Sequence, residues 1–437
     1  METTSIDTVA APRNWKSLLL EHKDALLCLV DQGVVSAAGF GTSVLIGRHA
    51  PSELGVYFIA LSIVLFIRGF QEQMISVPYT IYHHQYKDTL ASYRGSCLIQ
   101  QSGLVSVCLV FLVGMLIAAS TGWLKSDLVS PLIVLVFLMP ALMMREVIRQ
   151  YCFTHHENLS VLAIDSGITV LQICALVVLG YFNLLSGASA WAVIGLACAI
   201  TLGVWYFQNR PGIKFATERW RADWNQNWSF GKWAVGGQLV GSLPTYILPF
   251  ILAESAGTAD TGLFAAAMTL VGIANIFKMG IANFLTPKAA QVYVDHGAPG
   301  LKRVLLQMAL IFLVFIGGFA LVLALAGGWI AVVVYDSRYT GLQAAMGLLA
   351  LAQLCEGLAI VASNGLYVLG RIKANFWVDV ILMIVVITAA VLLVNPLGVM
   401  GAVWTSLIGT VVSATLRFAL LLVFLHRDTA VGEANAA

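Results

Sequence analysis

Residues 303–333 read RVLLQMALIFLVFIGGFALVLALAGGWIAVV, and after Arg303 this stretch contains no charged side chain. A helix needs about 20 apolar residues to cross the roughly 30 Å of hydrocarbon in a bilayer, so this stretch is long enough to cross one. The rest of the chain has a similar character: 59% of its 437 residues are hydrophobic, 11% are charged, and its mean hydropathy is +0.87. The sequence therefore predicts a protein that lies almost entirely in a membrane.

Apolar stretches of this kind recur about twelve times along the chain, separated by short polar loops. We predict an all-α polytopic membrane protein with about 12 transmembrane helices in two six-helix lobes around a central cavity. The lobes are predicted at residues 1–207 and 228–437, joined by a cytoplasmic linker at 208–227. The predicted spans are 25–47, 54–81, 95–119, 128–148, 159–181, 186–207, 228–253, 259–286, 303–333, 341–369, 374–394 and 398–425.

A weak internal repeat supports the division into two lobes. Residues 55–60, GVYFIA, open the second span much as residues 262–267, GLFAAA, open the eighth. Each of these spans then reaches a proline near its other end, Pro78 and Pro287. Because each half has an even number of spans, the repeat is parallel, and parallel repeats enclose a substrate path where they meet.

The basic residues of the loops predict the orientation of the chain. Eighteen of the 24 Lys and Arg residues, Arg145 and Arg149 among them, fall on the side of the predicted bundle that carries both termini. Only Arg48, Lys125 and Arg338 fall in loops on the other side. Cytoplasmic loops carry an excess of Lys and Arg, so both termini are predicted to be cytoplasmic.

Charged residues inside the predicted spans are the candidates for function. Each costs roughly 2.5 to 3.5 kcal/mol at the centre of a membrane helix, so we expect these side chains to face the bundle or a water-filled cavity. Most lie between the middle of a span and its cytoplasmic end. They are Asp31, Arg68, Glu72, Asp165, Lys278, Glu356, Asp379 and Arg417.

Arg68, Lys278 and Arg417 are the candidate substrate-binding residues. Arg68 and Lys278 lie at related depths in the second and eighth spans, and two cations that converge on a cavity suit a phosphate-bearing ligand. The alternative for Arg68 is a pair with Glu72, four residues further along the same helix. The alternative for Arg417 is that its side chain reaches the headgroups at the cytoplasmic end of the last span.

Glu356, Asp31 and Glu72 are the candidates for binding a coupling ion, H⁺ or Na⁺. Glu356 lies near the middle of the tenth span, where a carboxylate can load and release a proton. Asp31 either does the same or holds a basic residue of a neighbouring helix. Asp165 and Asp379 lie near cytoplasmic helix ends, and we interpret them as structural anchors at these ends.

Motifs of enzymes and of nucleotide-driven pumps are absent from the sequence, which contains no P-loop, GxSxG or HExxH motif. All eight histidines fall in predicted loops or at span ends, where we expect solvated side chains. The seven cysteines show no metal-ligand spacing. We therefore expect no catalytic site, no metal, no other cofactor and no nucleic-acid partner.

Three short segments resemble the polysaccharide-type, Wzx-like flippases of the multidrug/oligosaccharidyl-lipid/polysaccharide (MOP) exporter superfamily. They are residues 31–36, DQGVVS, residues 52–57, SELGVY, and residues 145–149, REVIR. The number and pattern of the spans extend the resemblance over essentially the whole chain. Gly39 and Phe40 depart from it, because members often carry a polar residue late in the first-span motif.

The resemblance implies two six-helix lobes that rock about a central cavity in a bacterial cytoplasmic (inner) membrane. The implied cargo is an oligosaccharide linked to polyprenyl diphosphate, and the implied partners are membrane lipids, polysaccharide polymerase and assembly proteins. Arg68 and Lys278, with Arg417, would hold the diphosphate. Two other functions stay open: an ion-coupled multidrug or metabolite exporter of the same superfamily, and a non-transporting scaffold for polysaccharide assembly.

Overall fold

The computed structural model of the chain is a bundle of membrane-spanning helices. It describes the backbone of residues 23–209, 212, 214–215 and 219–436, and their side chains except 23–25, 87–88, 209, 280–284, 286 and 428–436. Within these ranges no strand occurs, and eleven helices are long and apolar enough to cross a membrane. The predicted all-α membrane fold is confirmed.

The first lobe contains six crossings. One of them is formed by two helices, α2 and α3, which are joined by a turn of π-helix at Glu72–Ser76. The helices of this lobe are α1 (Lys23–His49), α2 (Leu54–Gln71), α3 (Val77–Tyr82), α4 (Leu90–Ser120), α5 (Val129–Thr154), α6 (Asn158–Tyr181) and α7 (Gly187–Asn209).

The second lobe also contains six crossings. The short α9 continues into α10 through Gly272 and Ile273, whose backbone angles stay helical, and this pair makes one crossing. At Gly297 the backbone leaves the helical region with φ of +64°, and the rest of α10 makes the next crossing. The helices are α8 (Trp220–Ala256), α9 (Thr258–Val271), α10 (Ala274–Val334), α11 (Gln343–Val368), α12 (Ile372–Leu397) and α13 (Val399–Ala436).

Two helix boundaries differ from the prediction in ways that affect function. Helix α5 ends at Thr154, whereas the fourth span was predicted to end at residue 148, so Arg149 belongs to the helix and not to a loop. Helix α8 begins at Trp220, so much of the predicted linker at 208–227 is helical. The limits of the two lobes stay a prediction.

Apolar side chains cover the outside of the bundle as well as its interior. Val110 in the first lobe is 75% exposed and Leu325 in the second is 71% exposed. A helix that is apolar on every face belongs in a protein core or in lipid, so these surfaces face the hydrocarbon. We call the side of the bundle that carries Asn209 and Trp220 the linker side, and the opposite side the far side.

The lobes touch closely where Gly55 of α2 meets α9 on the far side. A Cβ atom on Gly55 would lie 1.8 Å from the carbonyl oxygen of Thr258, so only glycine fits. About one turn deeper, the rings of Phe58 and Phe264 meet edge to face with centroids 6.3 Å apart. The two segments of the internal repeat, 55–60 and 262–267, are therefore in contact with each other.

Further contacts between the lobes close the far side. Tyr339, between α10 and α11, donates a hydrogen bond to the carbonyl oxygen of Gly47 at 3.2 Å. The hydroxyls of Tyr335 and Ser43 lie 3.3 Å apart. Arg48 donates two bonds of 2.6 Å to the carbonyl oxygens of residues 333 and 334. The chain therefore adopts a state whose cavity is sealed on this side.

Candidate functional site

A central cavity of about 700 Å³ lies between the lobes. Its walls come from α1 and α2 of the first lobe and from α8 to α13 of the second. Hydroxyl and amide side chains interrupt the apolar lining, and they can exchange hydrogen bonds with a polar ligand. These are Ser43, Ser62, Thr245, Tyr246, Thr269, Asn275, Gln353, Ser363, Ser406, Thr410 and Ser413.

Arg417 faces this cavity from the last helix. It donates hydrogen bonds to Asp379 and Ser413, and its Nε lies 3.2 Å from Oδ1 of Asn375. Asp379 also lines the cavity. Arg417 and Asp379 form an ion pair between α12 and α13. The alternative in which Arg417 extends to the headgroups is therefore wrong, and Asp379 lines the cavity where an anchor at the helix end was predicted.

Lys278 and Glu356 form a second ion pair in the same lobe. The ammonium group of Lys278 donates hydrogen bonds to Glu356 and Gln353 of α11. Lys278 is 3% exposed, whereas the side chain of Glu356 is 46% exposed and lines the cavity. The carboxylate is thus open to solvent in the cavity while its counter-ion is buried behind it.

The first lobe holds a network of buried charges between α1, α5 and α6. Asp165 accepts hydrogen bonds from Nε and Nη2 of Arg145 at 2.9 and 2.6 Å, and Nε of Arg149 lies 2.7 Å from its other oxygen. Nη2 of Arg149 donates to Asp31 at 2.9 Å. Arg145 and Arg149 were counted among the cations of the cytoplasmic side and Asp165 was interpreted as an anchor at a helix end. Both interpretations are wrong, because these side chains are buried and neutralise one another inside the bundle.

Arg68 joins this network through Glu146. Its Nη2 lies 3.1 Å from Oε2 of Glu146 on α5, and its side chain is 40% exposed. Glu72 is exposed and is not the partner of Arg68, so the proposed pair along one helix is not formed. Arg68 and Glu146 line a smaller cavity of about 190 Å³ in the first lobe. This cavity and the central one share Gly39, Tyr57, Leu61 and Leu65 in their walls.

The predicted cationic cavity is not present in this state. Arg68 lies in the smaller cavity and Lys278 is buried, so these two side chains do not converge. The charged side chains that line the central cavity are Glu356, Asp379 and Arg417. Most of these intramembrane charges were predicted from the sequence, but Glu146, which lies near the end of the predicted span 128–148, was not counted among them.

The matching family model is described as "Polysaccharide biosynthesis protein", and it covers residues 22–293. No curated protein sequence matches the chain.

Solved structures of MOP-superfamily transporters share the fold. A multidrug resistance MATE family transporter in its inward-facing conformation has a TM-score of 0.74 and 13% identity, over 91% of this chain and 96% of that one. An outward-facing MATE structure has a TM-score of 0.63 and 14% identity, with coverages of 93% and 95%. A MOP superfamily transporter from Pyrococcus furiosus, described as having a binding pocket of reversed polarity, has a TM-score of 0.62 and 14% identity, over 92% of this chain and 94% of that one.

The predicted superfamily is confirmed by the family model and by this shared two-lobe fold. The chain is a membrane transporter by fold and belongs to the polysaccharide biosynthesis protein family.

Proposed function

We propose that this protein is a flippase for an oligosaccharide linked to polyprenyl diphosphate. The linker side is assigned to the cytoplasm of a bacterial inner membrane, where both termini would lie. The lobes rock about the central cavity, so that a cargo loaded from the linker side leaves on the far side. The observation that carries this proposal is a cavity with many hydroxyl and amide side chains in a member of the polysaccharide biosynthesis family.

The lining of the cavity suits a glycan. Sugars present hydroxyl groups in every direction, and serine, threonine and amide side chains both donate and accept hydrogen bonds. The volume of about 700 Å³ lies within the usual range of ligand sites. The apolar prenyl chain has no need of this cavity and would stay in lipid between the lobes.

Arg417 is the best-placed residue for the diphosphate. A guanidinium group offers planar pairs of donors that match phosphate oxygens, and Arg417 faces the cavity. An arriving diphosphate would compete with Asp379 for these donors. Arg68 and Lys278 stay candidates for a state in which the lobes have moved, since each is now bound to a glutamate.

Glu356 is the best-placed residue for a coupling ion. Its carboxylate is open to the cavity and bound to Lys278, so a proton or Na⁺ at Glu356 would release the lysine. Asp31 is held by Arg149 and buried, and it is a second candidate in the other lobe. Glu72, exposed and next to the π-helical turn, is the weakest of the three.

Deletion of the gene in its host tests the proposal, with polyprenyl-linked oligosaccharides measured by mass spectrometry and surface polysaccharide by staining. A complete lipid-linked unit should accumulate and surface polymer should be lost. Wild-type protein and Arg427→Gln, a control that alters an exposed cation on the same helix, should restore export.

Arg417→Gln should not restore export. The double variant Asp379→Asn with Arg417→Gln should also fail although it leaves no unpaired charge, and this separates loss of binding from loss of folding. Unchanged lipid intermediates after deletion would refute the flippase. Full export by the double variant would refute the role of Arg417 and would favour a scaffold.

An ion-coupled exporter of organic cations or metabolites is the second candidate. Two carboxylates, Glu356 and Asp379, line the central cavity against one guanidinium group, and acids suit a cationic cargo. This function predicts that efflux of organic cations survives Arg417→Gln and is lost in the double variant Lys278→Gln with Glu356→Gln, which leaves no unpaired charge in this ion pair. Polysaccharide polymerase and assembly proteins would be partners of the flippase and not of this exporter.

A further inference from the structure

A separate cavity of about 330 Å³ lies in the first lobe on the linker side. Its walls come from the π-helical turn and from α3, α4, α5 and α7, and it shares no lining residue with the central cavity. Most of the wall is hydrocarbon, from side chains such as Ile75, Leu98, Val147, Ile148 and Leu202. Empty apolar space forfeits dispersion contacts, so an apolar ligand would stabilise this region.

The polar residues of this cavity lie at helix ends. Arg94 is the fifth residue of α4, near its start, and Tyr151 is in the last turn of α5. Tyr206, near the end of α7, is half exposed and forms one edge. Aromatic and basic residues at the ends of membrane helices lie at the level of the lipid headgroups. The edge of the cavity is therefore at headgroup depth, while its apolar walls extend toward the hydrocarbon.

Arg94 differs from the other arginines of this lobe's interior. Arg68, Arg145 and Arg149 each pair with a carboxylate, whereas Arg94 pairs with none among the described residues. Its guanidinium lies 4.4 Å from the ring centre of Tyr151, and Nη2 lies 3.3 Å from Nε2 of His155. A weak bond of 3.5 Å reaches the carbonyl oxygen of residue 212, and its buried Nε has no partner.

His155 does not supply the missing negative charge. Burial, and then the charge of Arg94, lowers the pKa of His155 to about 4, so this ring is neutral near pH 7. The hydroxyl of Tyr79 lies 2.9 Å from the same Nε2 atom. The arginine side chain of Arg94 therefore lies next to an apolar cavity without a carboxylate partner among the described residues.

We propose that this cavity binds one acyl chain of an anionic phospholipid from the linker-side leaflet, with the lipid phosphate on Arg94. The headgroup supplies the anion that Arg94 lacks, and the chain fills the apolar space. A phospholipid of the surrounding leaflet fits better than the cargo, because the cavity is separate from the central one. This site is independent of the proposed transport function, since it requires no particular cargo.

Photochemical labelling in nanodiscs tests the proposal on the full chain. The probe is phosphatidylglycerol with a diazirine in its acyl chain, present in trace amount in phosphatidylcholine. After photolysis, the labelled peptides should include residues 144–151 or 202–206. A matching phosphatidylethanolamine probe, which carries no net charge, should label these peptides about five-fold less, as expected for one arginine at an anionic surface.

Two variants distinguish the contribution of the acyl chain to binding from that of the lipid headgroup. Gly203 lines the cavity and a Cβ there would meet nothing within 4 Å, so Gly203→Leu should fill the space and abolish labelling. Gly103→Leu is the control, because Gly103 has the same free space outside the cavity. Arg94→Gln should reduce labelling by phosphatidylglycerol to that of phosphatidylethanolamine, whereas Arg303→Gln, at an exposed cation of the other lobe, should not.

Several results would overturn the proposal. Equal labelling in Gly203→Leu and Gly103→Leu would show that the acyl chain of the lipid binds outside this cavity. Equal labelling by the two probes in the wild-type protein would exclude a role for the headgroup charge. Displacement of the probe by polyprenyl diphosphate, but not by unlabelled phosphatidylglycerol, would assign the cavity to the cargo.

Discussion

Removal of the negative charge of Asp165 should destabilise the first lobe strongly. Asp165 is fully buried, and its two oxygens lie 2.6 to 2.9 Å from nitrogens of Arg145 and Arg149. Asp165→Asn keeps the size of the side chain but leaves the three guanidinium groups of Arg68, Arg145 and Arg149 with only two carboxylates, those of Asp31 and Glu146. Loss of one partner of a buried ion pair costs about 3 to 5 kcal/mol.

The assay is the fraction of protein that stays monodisperse after heating in detergent. In a folding unit of 150 to 250 residues, each kcal/mol of lost stability lowers the midpoint temperature of unfolding by about 2 to 4 °C. The midpoint temperature of Asp165→Asn should therefore be at least about 6 °C lower than that of the wild type. Asp295→Asn, at an exposed aspartate, is the matched control and should stay within about 0.5 kcal/mol of the wild type.

A double-mutant cycle makes this reasoning testable. Asp165→Asn combined with Arg145→Gln restores the balance of charge and should recover part of the lost stability. A midpoint for Asp165→Asn within about 1 °C of the control would contradict the argument, because the arginines would then not depend on this carboxylate. Additive losses in the double variant would contradict the pairing with Arg145.

Three further predictions follow from other contacts. Gly55→Ala should push α2 away from α9 and lower the free energy of unfolding by about 1 to 3 kcal/mol. Amide hydrogen exchange should become faster in both helices, whereas Gly103→Ala should leave it unchanged. Unchanged exchange in Gly55→Ala would exclude the close contact. The free energy of unfolding should fall as the pH decreases from about 6.5 to 4, because His155 binds a proton in the unfolded chain over this range but not in the folded protein. His155→Asn should make the midpoint of thermal unfolding depend less on pH. An unchanged pH dependence in this variant would show that other groups cause it. The double variant Lys278→Gln with Glu356→Gln should fold as well as the wild type and lose coupled transport. Glu356→Gln alone should fold poorly, because it leaves the buried Lys278 without its partner. Normal elution of this single variant in size-exclusion chromatography would argue against the ion pair.

The spans could be predicted from the sequence because one property, a long apolar run, decides them. Bilayer thickness sets the length of each run, and loops interrupt them with polar residues. The ends were less certain where a helix continues with polar residues that are satisfied inside the protein. Helix α5 is such a case: Arg149 follows the predicted end at residue 148 and looks like a loop cation, because Asp31 and Asp165, with which it pairs, lie on other helices.

The ion-pair partners of the intramembrane charges could not be predicted from residue spacing along a single helix. Spacing along one helix identifies residues that share a face, and it suggested Glu72 for Arg68. The partner in the structure, Glu146, is distant in the sequence and is brought close only when α2 packs against α5. The same holds for Arg417 and Asp379, which the antiparallel packing of α12 and α13 joins.

The strong ion pairs described above all form within a lobe and not between lobes. Each lobe is thus a closed electrostatic unit that can rotate as a rigid body without separating opposite charges. Resistance to that rotation comes on the far side from the glycine contact at Gly55, the tyrosine hydroxyls and the bonds of Arg48 to carbonyl oxygens. On the linker side it comes from uncharged donors, the hydroxyls of Tyr86 and Tyr93, which bond to Asp223 and Asn227 of α8. Added salt, which screens charge pairs, should therefore leave the rate of rocking nearly unchanged.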